Sequence, residues 1–196
     1  MLESARLVSI IREVEEKEII SIIEGLVEEG IRWFEISLSD GENGMKCIRT
    51  SRKYFEGRDV YIGEIDVLSD MGVPYILTPG FDEQIVRYAL EKKIEVLPGV
   101  LTPSEVQAAV NCGIHLAKLF PADAFSDRYI KALKGPFPEM DYVAVGGVTP
   151  ENAVNFYRLG YKGVAAGSNL VPKHAKRSDL KKIRETARKY VEVSQI

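Results

Sequence analysis

The feature that most constrains this chain is a regular alternation of short apolar runs with amphipathic stretches. Eight runs read as strands: Leu7–Arg12, Trp33–Leu38, Val60–Gly63, Tyr75–Thr78, Glu95–Leu97, Leu116–Phe120, Tyr142–Gly146 and Gly163–Ala166. Several are continuous strings, as in Val143-Ala144-Val145, which suits parallel strands covered on both faces. Between them, Glu18–Glu28 sets Ile19, Ile22, Ile23, Leu26 and Val27 along one helical stripe with glutamates opposite. Asp82–Glu91, Pro103–Asn111, Ser126–Lys134 and Glu151–Leu159 share that period, and a last helix is expected over about Ser178–Val193 with Ser178 as its cap. Thr102-Pro103 and Thr149-Pro150 place a capping hydroxyl before a proline at the first helical position.

Eight units in 196 residues give 196/8 = 24.5 residues each, enough for a short strand, a three-turn helix and two loops. The expectation is α/β: one compact (β/α)8 TIM-barrel domain over residues 1–196. A doubly wound open sheet is the runner-up, but Arg12-Glu13-Val14 follows the first strand where a Gly-rich dinucleotide fingerprint would stand. The third unit is short, with only Glu64–Pro74 between its strand and the next.

Composition bounds the partners. With 45% hydrophobic and 28% charged residues the chain is no disordered polymer. A net charge of 26 − 29 = −3 gives no general footprint for nucleic acid. Cys47 and Cys112 make neither a disulfide framework nor a metal cluster, so reduced thiols and a cytoplasmic location are expected. No basic segment with an apolar signal core opens the chain, and no run approaches the roughly 20 apolar residues of a membrane helix.

Chemistry is suggested at three places. Lys118 lies in the strand Leu116-Ala117-Lys118-Leu119-Phe120, sharing a face with Leu116 and Phe120. If that face lines a barrel, poor solvation lowers the amine's pKa and frees it to attack a carbonyl; the alternative is a lysine whose stem packs while its charge snorkels to water. Glu35, in Trp33-Phe34-Glu35-Ile36-Ser37, is either a proton shuttle beside that amine or a structural ion-pair partner. Gly146-Gly147-Val148 and Gly167-Ser168-Asn169 end the last two strands, where βα barrels often bind phosphate through backbone N–H groups. Thr78-Pro79-Gly80 and Leu97-Pro98-Gly99 close successive strands and read as rim loops or ordinary turns.

Together these segments resemble the 2-keto-3-deoxy-6-phosphogluconate (KDPG) aldolase family, also called 4-hydroxy-2-oxoglutarate (KHG) aldolases, over nearly the whole chain. The resemblance is carried by Val8-Ser9-Ile10-Ile11-Arg12, by Gly30-Ile31-Arg32-Trp33-Phe34-Glu35-Ile36, by the two Pro-Gly loops followed by Thr102-Pro103-Ser104-Glu105, and above all by Lys118-Leu119-Phe120-Pro121-Ala122. Gly135-Pro136-Phe137-Pro138, Gly146-Gly147-Val148 and Gly167-Ser168-Asn169-Leu170-Val171 follow in family order.

The resemblance implies a class I aldolase of carbohydrate metabolism on a trimeric barrel, a lyase that cleaves a 2-keto-3-deoxy sugar acid phosphate or 4-hydroxy-2-oxo acid to pyruvate and an aldehyde. Lys118 would form the Schiff base, so that no cofactor or metal is needed, and Glu35 would be the acid/base. Gly146, Gly147, Gly167 and Ser168 match the phosphate loops, Arg12 the substrate-side arginine, and Pro79 belongs to the Ser-Pro-Gly-type loop counted with the binding residues. Three places depart from the pattern: Ser37 and Ser39 stand where a Thr-x-Arg motif receives the pyruvate carboxylate, Asp66 stands nearest the threonine of a Gly-x-Gly-Thr loop, and Val145 replaces a threonine before the glycine pair. Arg49 or Arg52 could lend the missing charge. The alternatives are a catalytically degenerate phosphosugar-binding barrel and a phosphate-binding transferase of the thiamine-phosphate-synthase type.

Overall fold

The computed structural model describes residues 2–65 and 72–195. Its strands are β1 (Leu7–Ile11), β2 (Trp33–Ile36), β3 (Tyr61–Ile65), β4 (Tyr75–Leu77), β5 (Glu95–Leu97), β6 (Gly99–Val100), β7 (Leu116–Leu119), β8 (Asp141–Val145) and β9 (Gly163–Ala166). They form one sheet in the order β5-β4-β3-β2-β1-β9-β8-β7-β6, and every pairing is parallel. Only Pro98 separates β5 from β6. A proline has no N–H for the ladder, so these are two halves of one bent strand, and the two ends of the sheet meet there. The result is an eight-stave (β/α)8 barrel.

Around it lie α1 (Glu16–Glu28), α2 (Glu42–Tyr54), α3 (Glu83–Glu91), α4 (Pro103–Asn111), α5 (Arg128–Lys134), α6 (Pro150–Arg158) and α7 (Leu180–Ser194). Among the described residues no helix joins β3 to β4. The connection is residues 66–74, and residues 66–71, Asp66 included, lie outside the described part.

Strand alternation sorts the buried side chains into two layers. Phe34 and Ile36 of β2, Ile62 of β3 and Ala144 of β8 point outward and pack with Ile19, Ile22, Ile23 and Leu26 of α1 and their counterparts on the other helices. Each such aliphatic side chain contributes about 1.5–3 kcal/mol by leaving water. Val8, Ile10, Trp33, Tyr75, Leu77, Leu97, Leu116, Val143, Val145 and Ala165 point inward and fill the barrel. Leu2 and Ala5, at the N-terminal 3-10 turn, join this inner cluster.

The caps follow the reading with one correction. Thr102 with Glu105, and Thr149 with Asn152, form reciprocal capping boxes at α4 and α6. Ser178 does not cap α7. It lies inside a 3-10 turn, Arg177–Asp179, because Asp179 Oδ2 reaches back to accept from the Lys176 N–H at 2.9 Å. The helix α2 has no counterpart among the expected helices. Its buried face is narrow, made of Gly44, Cys47, Ile48 and Ser51, and Gly44 is needed because a Cβ there would stand 2.6 Å from the Ser37 carbonyl oxygen.

Candidate active site

The inward-facing rows of the barrel hold a carboxylate and an amine far from water. Glu35 is fully buried and Lys118 is 2% exposed. Both lie inside by the period of their strands: Glu35 follows inward Trp33 by two positions, and Lys118 follows inward Leu116 by two. Glu35 is flanked by Ile10 on β1 and Gly63 on β3. Lys118 is flanked by Gly99 on β6 and Val143 on β8. Its Nζ reaches toward the C-terminal ends of the strands, 5.0 Å from the centre of the Phe120 ring, within the range of cation–π attraction. The reading of Lys118 as a snorkelling surface lysine therefore fails.

Above this interior opens a cleft of about 220 Å³, lined by Ile10, Arg12, Phe120, Val145 and Ala165 together with Gly146–Val148 and Gly167–Asn169. Ile10, Val145 and Ala165 belong also to the inner packing cluster, so the cleft floor is the barrel interior. The structure thus gathers Arg12, Gly146, Gly147, Gly167 and Ser168 into one place. It leaves Pro79 apart: this residue is exposed on the loop after β4, where its carbonyl carbon would stand 2.6 Å from a Cβ at Gly99. That close backbone approach, which only glycine permits, ties the two Pro-Gly loops together, with Thr78 Oγ1 accepting from the Gly99 N–H at 3.3 Å.

Side chains hold the glycine loop in shape. Gly146 and Gly147 have φ of 97° and 64°, which glycine adopts without cost. The Gly147 carbonyl accepts from Asn152 Nδ2 at 2.9 Å, and the Val148 carbonyl accepts from Asn169 Nδ2 at 2.9 Å and from the Tyr190 hydroxyl at 2.8 Å. These bonds fix the peptide planes at the N-terminus of α6, the end of a helix that attracts anions. On the opposite lip, Glu13 (φ 54°) follows Arg12. Its carbonyl accepts from the His174 N–H at 3.0 Å, and its carboxylate pairs with Lys173 at 2.6 Å. The Lys173 hydrogen bond holds that carboxyl below its usual range.

Two residues carried no signal in the sequence, Asp123 beside the glycine loop and Tyr75 inside the barrel. Asp123 sits in the 3-10 turn Ala122–Ala124 just beyond Phe120-Pro121. Its Cβ would be 2.6 Å from a Cβ at Gly147, and its carboxylate closer still. Tyr75 lies beside Glu35; burial, and then the Glu35 charge, push its hydroxyl well above the usual tyrosine range. Neither is betrayed by a local motif. Ser37 is buried at the end of β2, and its Oγ accepts from the Ser39 N–H at 3.2 Å. Arg49 and Arg52 are on α2, outside the barrel wall; Arg49 is exposed and Arg52 lies against Gly72. Neither lines the cleft.

A parallel βα barrel with its ionisable groups gathered at and below the strand ends is built as a barrel enzyme, and this one is of the aldolase class, a lyase. The family model for KDPG and KHG aldolase matches residues 1–186, and the chain belongs to that family. It is 39% identical over 108 residues to the 2-dehydro-3-deoxy-6-phosphogalactonate aldolase of Escherichia coli K12, a match covering 55% of this chain and 53% of that protein. It is 29% identical over 182 residues to the 2-dehydro-3-deoxy-phosphogluconate aldolase of Pseudomonas aeruginosa, covering 88% of this chain and 81% of that one. A solved structure described as native KDPGal superposes with a TM-score of 0.87 at 28% identity, over 96% of this chain and 94% of that one. A thiamine phosphate pyrophosphorylase from Pyrococcus furiosus shares the fold, at a TM-score of 0.72 and 18% identity. Family membership places the chain with the class I, pyruvate-dependent aldolases and favours neither alternative reading. No helix among the described residues is long and apolar enough to cross a membrane.

Proposed function

We propose that the protein cleaves a phosphorylated 2-keto-3-deoxy sugar acid to pyruvate and a phosphorylated aldehyde through a Schiff base on Lys118. The observation that carries this reading is the burial of one amine and one carboxylate inside the same barrel, beneath the glycine-lined cleft.

The Lys118 amine adds to the C2 carbonyl of the substrate, and the carbinolamine loses water to leave an iminium. Glu35, acting through water, removes the proton of the C4 hydroxyl. The C3–C4 bond breaks, its electron pair moves into the C2–C3 bond as an enamine, and the aldehyde departs. Glu35 returns the proton to C3 of the enamine, and water hydrolyses the pyruvate iminium to regenerate the amine. The iminium is the electron sink, so these steps call on no metal. Desolvation disfavours the ammonium form of a lysine, the condition a nucleophilic amine requires.

The phosphate sits in the cleft, against the backbone of Gly146, Gly147 and Gly167, the Ser168 hydroxyl and Arg12. Val145 offers the substrate an apolar wall where the family pattern has a threonine, and Ser37 offers a hydroxyl where it has a cation-bearing motif. A serine hydroxyl gives the carboxylate a hydrogen bond without the charge-assisted fork of an arginine. We place the protein in the cytoplasm, as a homotrimer, in line with the family resemblance.

The test is cleavage of the 6-phosphogluconate- and 6-phosphogalactonate-derived 2-keto-3-deoxy acids and of unphosphorylated 4-hydroxy-2-oxoglutarate, followed by pyruvate release. Turnover of a phosphorylated acid that disappears in Lys118→Met is expected. Tight phosphosugar binding without turnover of any of the three would support the degenerate barrel instead.

A further inference from the structure

The side chain that braces Glu35 comes from two strands away. Ile10, Glu35 and Gly63 stand in one row across β1, β2 and β3. Glu64 pairs with Ile76, so one step back in register Tyr75 is the neighbour of Gly63 in that same row. Gly63 has no side chain, and the Tyr75 ring fills the gap: a Cβ on Gly63 would lie 2.6 Å from Cζ and 2.7 Å from Cδ2 of the ring. The ring therefore passes across β3 altogether. Its hydroxyl donates to the Phe34 carbonyl on β2 at 2.7 Å, with the Tyr61 carbonyl at 3.4 Å. Trp33, stacked on Tyr61 with centroids 4.2 Å apart, flanks the ring at 5.6 Å.

The atom gripped is informative. The carbonyl of Phe34 and the nitrogen of Glu35 belong to a single peptide group, so this hydrogen bond holds the planar unit from which the Glu35 side chain departs. A residue serving only to fill the barrel needs no hydroxyl there, since a phenylalanine or leucine would occupy much the same volume. A buried hydroxyl is tolerated only with a partner, and this one has found its partner on the strand that carries the acid.

We propose that Tyr75 is a positioning residue for proton transfer: it fixes the Phe34–Glu35 peptide and so aims the Glu35 carboxylate at the substrate. This rests on the reading of Glu35 as the acid/base. Tyr75 itself touches no reacting atom; it acts through the backbone of β2 and through the Gly63 gap that admits its ring.

The test separates imine formation from proton transfer, using pyruvate alone. Borohydride reduction reports the Schiff base on Lys118. Exchange of the pyruvate methyl hydrogens in deuterated water, followed by NMR, reports proton transfer at C3. In Tyr75→Phe, trapping is expected to stay within about twofold of the parent while exchange per trapped site falls about tenfold, as for a catalytic group set slightly out of line. Tyr75→Leu, which removes the ring as well, is expected to exchange more slowly still. Counting exchange per trapped lysine leaves unfolded protein out of the comparison. Unchanged exchange in Tyr75→Phe overturns the proposal, as does a parallel fall in trapping and exchange, which marks a merely structural role. Absent trapping in the parent, or undiminished exchange in Glu35→Gln, overturns instead the reading on which it rests.

Discussion

Gly147→Ala perturbs the cleft at the point where its geometry is most demanding, and its cost divides into two parts. The backbone sits at φ 64°, a left-handed conformation that costs an alanine roughly 1–2 kcal/mol more than a glycine. The new methyl would also stand 2.6 Å from Asp123 Cβ, with the carboxylate nearer. Asp123 is an exposed side chain on a short turn, so its carboxylate can rotate away. Its Cβ cannot and the turn must shift, and together this overpacking costs about 1–3 kcal/mol. The sum is a loss of about 2–5 kcal/mol in urea unfolding. In an Asp123→Ala background only the carboxylate's share of the steric part disappears, because alanine keeps the Cβ at 2.6 Å, so the cost of Gly147→Ala falls by no more than about 1 kcal/mol. Function should suffer selectively. The methyl intrudes where the phosphate approaches the backbone, so KM rises for a phosphorylated substrate and stays near the parent value for unphosphorylated 4-hydroxy-2-oxoglutarate. An unfolding free energy equal to the parent's would refute the structural reasoning. An equal rise in KM for both substrates would refute the placement of the phosphate.

Three further outcomes are expected. Gly63→Ala drives a methyl into the buried Tyr75 ring, which unlike the Asp123 carboxylate has nowhere to turn; overpacking of this kind costs about 3 kcal/mol, and a loss under about 1 kcal/mol in urea unfolding would contradict it. Glu35→Gln keeps the shape of the side chain and removes its proton chemistry, so Lys118 still traps pyruvate while turnover falls by about 10²–10⁴; turnover within tenfold of the parent would rule Glu35 out as the acid/base. Glu29 joins α1 to α7 through Arg184 and Arg188, at 2.6 Å to each. The Arg188 hydrogen bond, then that of Arg184, holds its carboxyl below the ordinary range against the opposing effect of burial. A depressed carboxyl contributes stability that is fully present above its unfolded pKa and is lost as pH falls through the folded one. Glu29→Gln should therefore lower the melting temperature near neutral pH and flatten its decline in acid, and an unchanged acid slope would show that the pair contributes nothing there.

The barrel was legible because each of its eight staves is a short apolar run whose burial does not depend on which neighbour it meets. Elements escaped where sequence signals are weak or shared. The buried stripe of α2 is only Gly44, Cys47, Ile48 and Ser51, so small and polar residues mask a helix that has a full three turns. The segment β6 is two residues long after Pro98 and reads as the tail of a turn. Ser178 looked like a cap because a hydroxyl before a helix commonly is one, yet the neighbouring Asp179 closes a tighter turn first. In the site, Lys118, Glu35, Arg12 and the two glycine loops were readable because each occupies a strand or a strand end where its residue type is out of place or conformationally required. Tyr75 and Asp123 were not. A tyrosine in a buried strand looks like ordinary core, and its reach to Phe34 depends on the missing side chain of Gly63, twelve positions earlier (75 − 63 = 12). An aspartate on an exposed turn looks like solvent-facing surface until the fold lays it on Gly147.

The most direct measurement is mass spectrometry of the protein after borohydride reduction in the presence of pyruvate, with the modified peptide sequenced. The account predicts one reduced three-carbon adduct, on Lys118, and none in Lys118→Met. An unmodified Lys118 at saturating pyruvate, or an adduct carried by a different lysine, would contradict it.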